Sequence, residues 1–397
     1  MNIIGIICEY NPFHLGHLGH IEKTKQIIKH NSSDEVAIVG IMSGNFVQRG
    51  DFAVFNKHAR AKMAVSCGVD LVIEIPTPYV LQSAEGFATA GVSILDSLGI
   101  CSHISFGSES GNIKALNEAA ELITSKKANQ ITKEWLDKGL SYASAGQKAA
   151  DYLMGKKSDI FKSPNNVLGI EYLKALKKLN SSIKPITVKR TGGEHDSDSG
   201  YSASALRKSF LGGSIPEKQM HSTSVEICID ETAHGRGPVS IKNAELAILS
   251  RLRMLSDFSQ ISGTSEGLDK RLKKYVSSET SIESILKQTK SKRYTMSRLR
   301  RVLLCAALGI KKEDAAIHPP YIRVLAMNDK GKVLLSAAQK TANKPVIIKP
   351  ASAKKLNEPA KNVFELEVMA TGLYVLAYQN ENERKGGCEW RTSPVIV

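Results

Sequence analysis

Four short runs rich in Ile and Val, separated by stretches of helical spacing, constrain this chain more than anything else in it. NIIGIIC (2–8), EVAIVGIM (35–42), DLVIEIP (70–76) and SHISFGSE (102–109) are compact apolar segments. Strands buried on both faces of a parallel sheet look like this. Residues 16–30, 56–66 and 79–98, between them, carry helix-like spacing. The β-α-β-α alternation predicts an α/β fold, an open parallel sheet covered by helices. Ligands bind such sheets beyond the carboxyl ends of the strands, so functional residues are expected where each run ends.

The rest of the chain is read more coarsely. Residues 112 to 180 are expected to be helical and include the lysine-rich EYLKALKKL (171–179). KPITVKR (184–190) predicts a further strand, followed by a loop with Gly192, Gly193, Glu194, His195 and Asp196. SASALRKSF (202–210) opens a helix with Ser202 as its N-cap. Beyond Pro216, residues 240–310 read as helical and strongly basic, and 316–397 hold the strand-like pieces YIRVLAM, PVIIKP and LYVLAY. A length of 397 residues exceeds what one core usually organises, so two domains are expected, 1–216 and 217–397.

The chemistry is concentrated at the end of the first run, in Pro12-Phe13-His14-Leu15-Gly16-His17. A strand, a proline-bearing turn and His-x-Gly-His opening a helix make a phosphate-binding arrangement. Gly16 permits close approach of backbone to phosphate, and the helix start offers unpaired N–H groups and a favourable dipole. Two imidazoles a turn apart can donate to charge building on a phosphate under displacement, a catalysis of positioning and electrostatics that needs no protein nucleophile. His20 repeats the spacing as His17-Leu18-Gly19-His20, and either packs, sits in solvent or touches nucleotide. Ser202-Ala203-Ser204-Ala205-Leu206-Arg207 is the second signal: hydroxyls at a helix start, with an arginine fork one turn on, suit phosphate oxygens.

Charge points to a polyanionic partner. The net charge is +15, and Lys287–Arg301 alone holds Lys290, Lys292, Arg293, Arg298, Arg300 and Arg301 with Tyr294 among them. Those cations suit backbone phosphates, with the tyrosine available for stacking, although a basic run is in itself often only a solvated face. Lys174, Lys177 and Lys178 add to the excess. No apolar run reaches about 18 residues and the amino end has no basic leader, so a cytoplasmic protein is expected. The six cysteines have no zinc spacing and are expected to be free core residues.

With these motifs in hand, the chain resembles the HxGH nucleotidyltransferases and, more closely, the bacterial tRNA(Met) cytidine acetate ligase family. The likeness is carried by Glu9-Tyr10-Asn11-Pro12-Phe13-His14-Leu15-Gly16-His17, Met42-Ser43-Gly44-Asn45-Phe46-Val47-Gln48-Arg49-Gly50 and Asp70-Leu71-Val72-Ile73-Glu74-Ile75-Pro76. Phe106-Gly107-Ser108-Glu109, Ser163-Pro164-Asn165-Asn166, Lys292-Arg293-Tyr294-Thr295 and Pro320-Tyr321-Ile322-Arg323 continue it to about residue 350. The resemblance implies a Rossmann-like nucleotidyltransferase sheet (1–216) and a basic, mainly helical tRNA-binding domain with a short strand-containing end (217–397). It implies ATP, acetate and elongator tRNA(Met) as partners, with Mg2+ carried by the nucleotide and no metal-binding side chains.

Residue by residue, the resemblance implies an ATP site of Ile7, Cys8, Glu9, Tyr10, Asn11, Pro12, Phe13, His14, Leu15, Gly16, His17, Leu18, Gly19, His20, Gly107, Asn165 and Arg190. His14 and His17 stabilise adenylation, while Ser202, Ser204 and Arg207 hold pyrophosphate. Asn45, Gln48 and Arg49 either contact acetate or cytosine or build a turn; Asn165 and Asn166 either read adenine or cap a helix. The alternatives are an adenylyltransferase joining ATP to a small phosphate metabolite, and an RNA-binding protein with a degenerate nucleotide fold.

Overall fold

The computed structural model describes residues 1–31, 34–190, 203–315 and 318–397. The four apolar runs form strands Asn2–Cys8, Val36–Ser43, Leu71–Ile75 and His103–Ser108, and Lys184–Lys189 is a fifth. All five are parallel, in the spatial order Leu71–Ile75, Val36–Ser43, Asn2–Cys8, His103–Ser108, Lys184–Lys189. From Asn2–Cys8 the chain builds outward in one direction, then crosses to build in the other. The reversal between Asn2–Cys8 and His103–Ser108 is a topological switch point, where open sheets of this kind take their ligands.

Alternation along each strand divides the apolar side chains between two helical layers. Ile3, Ile7, Val39, Ile41 and Ile73 pack with helices Ala84–Leu98, Ile113–Ile123, Pro164–Lys178 and Asp329–Thr341. Ile4, Ile6, Ile38 and Val72 face Leu15–Asn31, Lys57–Ser66, Ala203–Leu211 and Ser222–Ala233. A third cluster is wholly different in origin. Leu252, Leu272, Ile285 and Leu303, from Glu245–Met254, Leu268–Ser278, Ile282–Thr289 and Met296–Leu308, close around Phe46, Phe52 and Tyr374. The helical lobe is thus rooted in the short hairpin Phe46–Val47/Asp51–Phe52, directly after the second strand.

Two expectations need correction. The division at residue 216 does not divide the core: Ser222–Ala233 packs in a layer of the sheet, and Ile322–Met327 pairs antiparallel with Leu71–Ile75. That strand carries Val346–Ile347 and Val395–Ile396 on its other edge, so the carboxyl-terminal pieces complete the sheet instead of extending the helical lobe. LYVLAY is not a strand either, because helix Glu358–Val375 runs into it. Its buried residues Val363, Phe364, Glu367, Ala370, Thr371 and Tyr374 follow a helical period, and Asn357 caps its start by accepting from the Ala360 N–H.

The carboxyl-terminal segment is tied to the sheet by a buried ionic cluster. Lys57 Nζ lies 2.6 Å from Glu74 Oε1, 2.6 Å from Glu389 Oε2 and 3.6 Å from Glu367 Oε2. Arg323 stands 3.6 Å from Glu389, and all five side chains are out of solvent. Burial and the neighbouring Glu367 and Glu389 push Glu74 up to about 8 despite Lys57. Burial acts the same way on Glu389, yet Lys57 and Arg323 outweigh it and hold that carboxyl at about 2. Burial raises Glu367 as well, so the two cations face a set of carboxyls in which Glu74 holds a proton most readily, and that lowers the cost of burying the group.

Candidate active site

The loop leaving strand Asn2–Cys8 is fixed from several directions before it reaches the histidines. Tyr10 adopts φ +43°, and the Asn11–Pro12 bond is cis. Asn11 Oδ1 accepts the Val54 N–H at 2.8 Å. Beneath the loop, Arg60 is fully buried and donates to the carbonyls of Glu9, Ser43, Gly44 and Phe55. One guanidinium therefore ties the ends of the first two strands to the segment before Lys57–Ser66. Sequence reading missed Arg60; its only signal was a lone arginine on a helix otherwise lined with Ala59, Ala61, Met63 and Ala64.

His14 sits at the start of helix Leu15–Asn31 and caps it with its own ring: Nδ1 accepts the Gly16 N–H at 3.0 Å. Gly16 is required by that contact, since a Cβ there would come within 2.8 Å of His14 Cε1. His17 Nδ1 accepts the His14 N–H at 3.3 Å, and the two rings stack with centroids 3.8 Å apart. With both Nδ1 atoms accepting, a neutral imidazole at each position carries its proton on Nε2. Burial, then the charges of Arg190 and Arg207, lowers His14 to about 4. His17 is driven well down by burial and by His14, His20 and Arg190. The pair is neutral near pH 7 and offers two Nε2–H donors.

The positive charge comes from arginines instead. Arg207, on helix Ala203–Leu211, donates from Nη1 to the Asn11 carbonyl at 3.3 Å, so the second motif touches the loop of the first. Arg190 follows strand Lys184–Lys189, and its Cγ lies 3.3 Å from where a Gly107 Cβ would stand. His14, His17, Gly107, Arg190 and Arg207, distant in sequence, thus converge on the switch point. Ser204 is exposed at the first turn of the Arg207 helix. Ser202, His195 and Asp196 lie outside the described residues.

Other expected site residues have different duties. Ile7, Tyr10 and Phe13 are buried in the core, so each of these three can offer a ligand only its backbone. The Cys8 thiol is pushed far up by burial, against any reactivity. Leu15 is exposed beside Gly16, and Leu18 packs partly against the core. Gly19 has open space where a Cβ would be. His20 turns inward, with Nε2 3.1 Å from Ser105 Oγ, and burial followed by Arg190 lowers it to about 4. Asn165 Nδ2 donates to Glu109 Oε1 at 2.6 Å, and the Asn166 N–H donates to Glu109 Oε2 at 2.9 Å. Glu109 therefore caps helix Pro164–Lys178, a role unassigned from sequence. Asn45 is structural too: it donates to Thr371 Oγ1 and accepts the Lys57 N–H.

The basic run is less uniform than its sequence. Tyr294 is buried and donates to the Glu266 carbonyl at 2.6 Å, which removes it from any stacking role. Arg298 pairs with Glu266 at 3.0 Å, and Lys290 Nζ donates to the Tyr294 carbonyl. Arg301 reaches the Gln48 carbonyl at 3.4 Å. Lys292, Arg293 and Arg300 are exposed. Upstream, Lys174 pairs with Glu171 and Lys177 with Glu121, so these lysines add little free charge. All six cysteines are free, with Cys67, Cys228 and Cys305 buried and the others half-buried.

A parallel sheet with stacked histidines and two arginines at its switch point defines the class of nucleotide-handling α/β proteins that transfer at a phosphate. Residues 1–388 match the family HIGH Nucleotidyl Transferase. The chain is 38% identical over 420 residues to the tRNA(Met) cytidine acetate ligase of Acetivibrio thermocellus, covering 100% of both chains. It is 40% identical over 392 residues to that of Caldanaerobacter subterraneus subsp. tengcongensis, covering 96% of each. Thermotoga maritima TmcAL bound with alpha-thio ATP superposes with a TM-score of 0.90 at 32% identity, covering 100% of both chains. The chain belongs to the tRNA(Met) cytidine acetate ligase family.

Proposed function

We propose that this chain activates acetate with ATP and passes the acetyl group to N4 of the wobble cytidine of elongator tRNA(Met). An acetate oxygen attacks the α-phosphorus, pyrophosphate leaves, and the acetyl carbon of the resulting acetyl-adenylate is then attacked by N4, releasing AMP. The observation that carries the reading is the meeting of two neutral Nε2–H donors with Arg190 and Arg207 at the switch point. Neutral donors stabilise charge as it develops without holding a product anion too tightly, while the arginines supply the attraction for polyphosphate. Arg207 with Ser204, and Ser202 by family likeness, would hold the leaving pyrophosphate. Mg2+ would arrive on ATP and balance phosphate charge. Lys292, Arg293 and Arg300 are exposed cations of the basic run and the strongest candidates for tRNA phosphate contacts.

The test is incubation with ATP, Mg2+, labelled acetate and bacterial tRNA, followed by nucleoside mass analysis. ATP-dependent N4-acetylcytidine, lost in His17→Ala, is the expected result. ATP binding without label in RNA would overturn the reading and turn attention to a small phosphate metabolite as the second substrate.

A further inference from the structure

The exocyclic amine of cytosine is a weak nucleophile because its lone pair is delocalised into the ring. Acetyl transfer to it is helped by a group that takes the proton as the N–C bond forms. We propose that Glu9 is that general base and receives the N4 proton on Oε2, an inference that rests on the acetyl-adenylate reading above. In the step, N4 attacks the acetyl carbon and the C–O bond to AMP breaks. AMP leaves with the electron pair, and the amine proton passes to Glu9 and then to water.

Geometry carries the assignment. Glu9 stands at the carboxyl end of strand Asn2–Cys8, immediately before the loop that delivers His14. One oxygen is occupied: Oε1 accepts the Gln48 N–H at 2.6 Å. No described residue donates to Oε2, and Oε2 is not among the buried atoms left without a partner. On one side, Arg207 donates to the carbonyl of Asn11, two residues beyond Glu9, so the carboxyl adjoins the phosphate end of the site. On the other, the hairpin that holds Glu9 is gripped by the basic helix Met296–Leu308. Arg301 reaches the Gln48 carbonyl, and Gly50 lies against the Arg300–Arg301 backbone. Glu9 is therefore placed where the nucleotide half and the basic half of the molecule meet.

Its surroundings suit a base. Burial raises its affinity for a proton, while the Gln48 N–H, Arg60, Arg207 and Arg49 keep the ionised form accessible. Cys8 and Tyr172, which also face it, are themselves held protonated by burial. Asp51, a half-buried acid on this hairpin, is engaged by the backbone N–H groups of Phe52 and Ile241.

The test supplies acetyl-adenylate ready-made at saturation and follows single-turnover transfer to tRNA across pH. Glu9→Gln keeps an acceptor for the Gln48 N–H and removes the base. Transfer by this variant is expected to fall by about 100-fold or more and to lose the rise with pH seen in the wild type. A variant rate within about threefold of wild type would overturn the proposal. So would a slower rate that keeps the wild-type pH profile, since that marks a structural role. If the wild-type protein itself transfers nothing from acetyl-adenylate, the underlying reading fails, which is a separate and recognisable outcome.

Discussion

His14 does two jobs with one ring, and the two can be separated by substitution. Its Nδ1 caps the helix through the Gly16 N–H, which leaves Nε2–H for the phosphate role proposed above. Asn is a good helix cap but has no imidazole. His14→Asn should therefore keep its urea midpoint near wild type at pH 7.5 while acetate-dependent ATP turnover falls at least about 100-fold. The same ring makes stability depend on pH. Its folded value of about 4 lies below the ordinary 6.5, so the unfolded chain binds the extra proton first. The neutral ring's contribution is fully present above 6.5 and is lost as pH falls toward 4. Between pH 7.5 and pH 5, His14→Asn should lose on the order of 1–2 kcal/mol less in urea unfolding than the wild type, the loss common to both coming from His17 and His20, which burial lowers too.

Among elements, the hairpin Phe46–Val47/Asp51–Phe52 is the joint between sheet and helical lobe. Gly50 has φ +77°, and a Cβ there would lie 2.5 Å from the Arg301 backbone nitrogen. Gly50→Ala combines a left-handed backbone with a clash that no side chain can absorb. It should cost about 2–3 kcal/mol in denaturant unfolding and lower tRNA affinity together, because the helix carrying Arg300 loses its seat. The basic run makes an opposite prediction. Tyr294→Phe removes one buried hydrogen bond and should cost about 1 kcal/mol of stability without changing RNA affinity. Lys292→Ala with Arg293→Ala should leave stability alone and weaken tRNA binding, with a salt slope smaller by about 1–2. Filter binding at several salt concentrations distinguishes the two variants.

For the whole molecule, the decisive contact is between the amino-terminal sheet and the carboxyl-terminal segment. Lys57 holds Glu74 of the sheet to Glu367 and Glu389 of the last 45 or so residues, which no motif explained. Removing the cation strands carboxylates in the interior, so Lys57→Met should destabilise by about 3–5 kcal/mol in chemical unfolding. The Glu74 carboxyl, raised to about 8, binds its proton more tightly in the folded state. Its contribution is complete below its ordinary 4.5 and is lost as pH rises through 8. Thermal unfolding should therefore weaken by about 1 kcal/mol between pH 7 and pH 9.5, and Glu74→Gln should flatten that slope.

Local chemistry made much of this protein legible from its residues alone. Apolar runs such as NIIGIIC read as buried strands, and His14, Gly16 and His17 after the first run point to a phosphate site. Arg207 could be named because its motif follows the His-x-Gly-His segment in the chain, whereas Arg190 is reached only through the family resemblance. What residues 2–211 could not decide was what surrounds them. Tyr294 reads as a stacking residue until burial shows its hydroxyl committed to Glu266. Asn165 reads as an adenine contact or a helix cap, and nothing local shows that Glu109, 56 positions earlier, takes one of its amide protons. Lys57, Glu74, Glu367 and Glu389 are ordinary charges in sequence and become one cluster only when strand Ile322–Met327 returns to the sheet. Spacing along the chain records preferences of a few residues at a time; burial and ion pairing depend on partners hundreds of residues away, and only the folded chain brings those together.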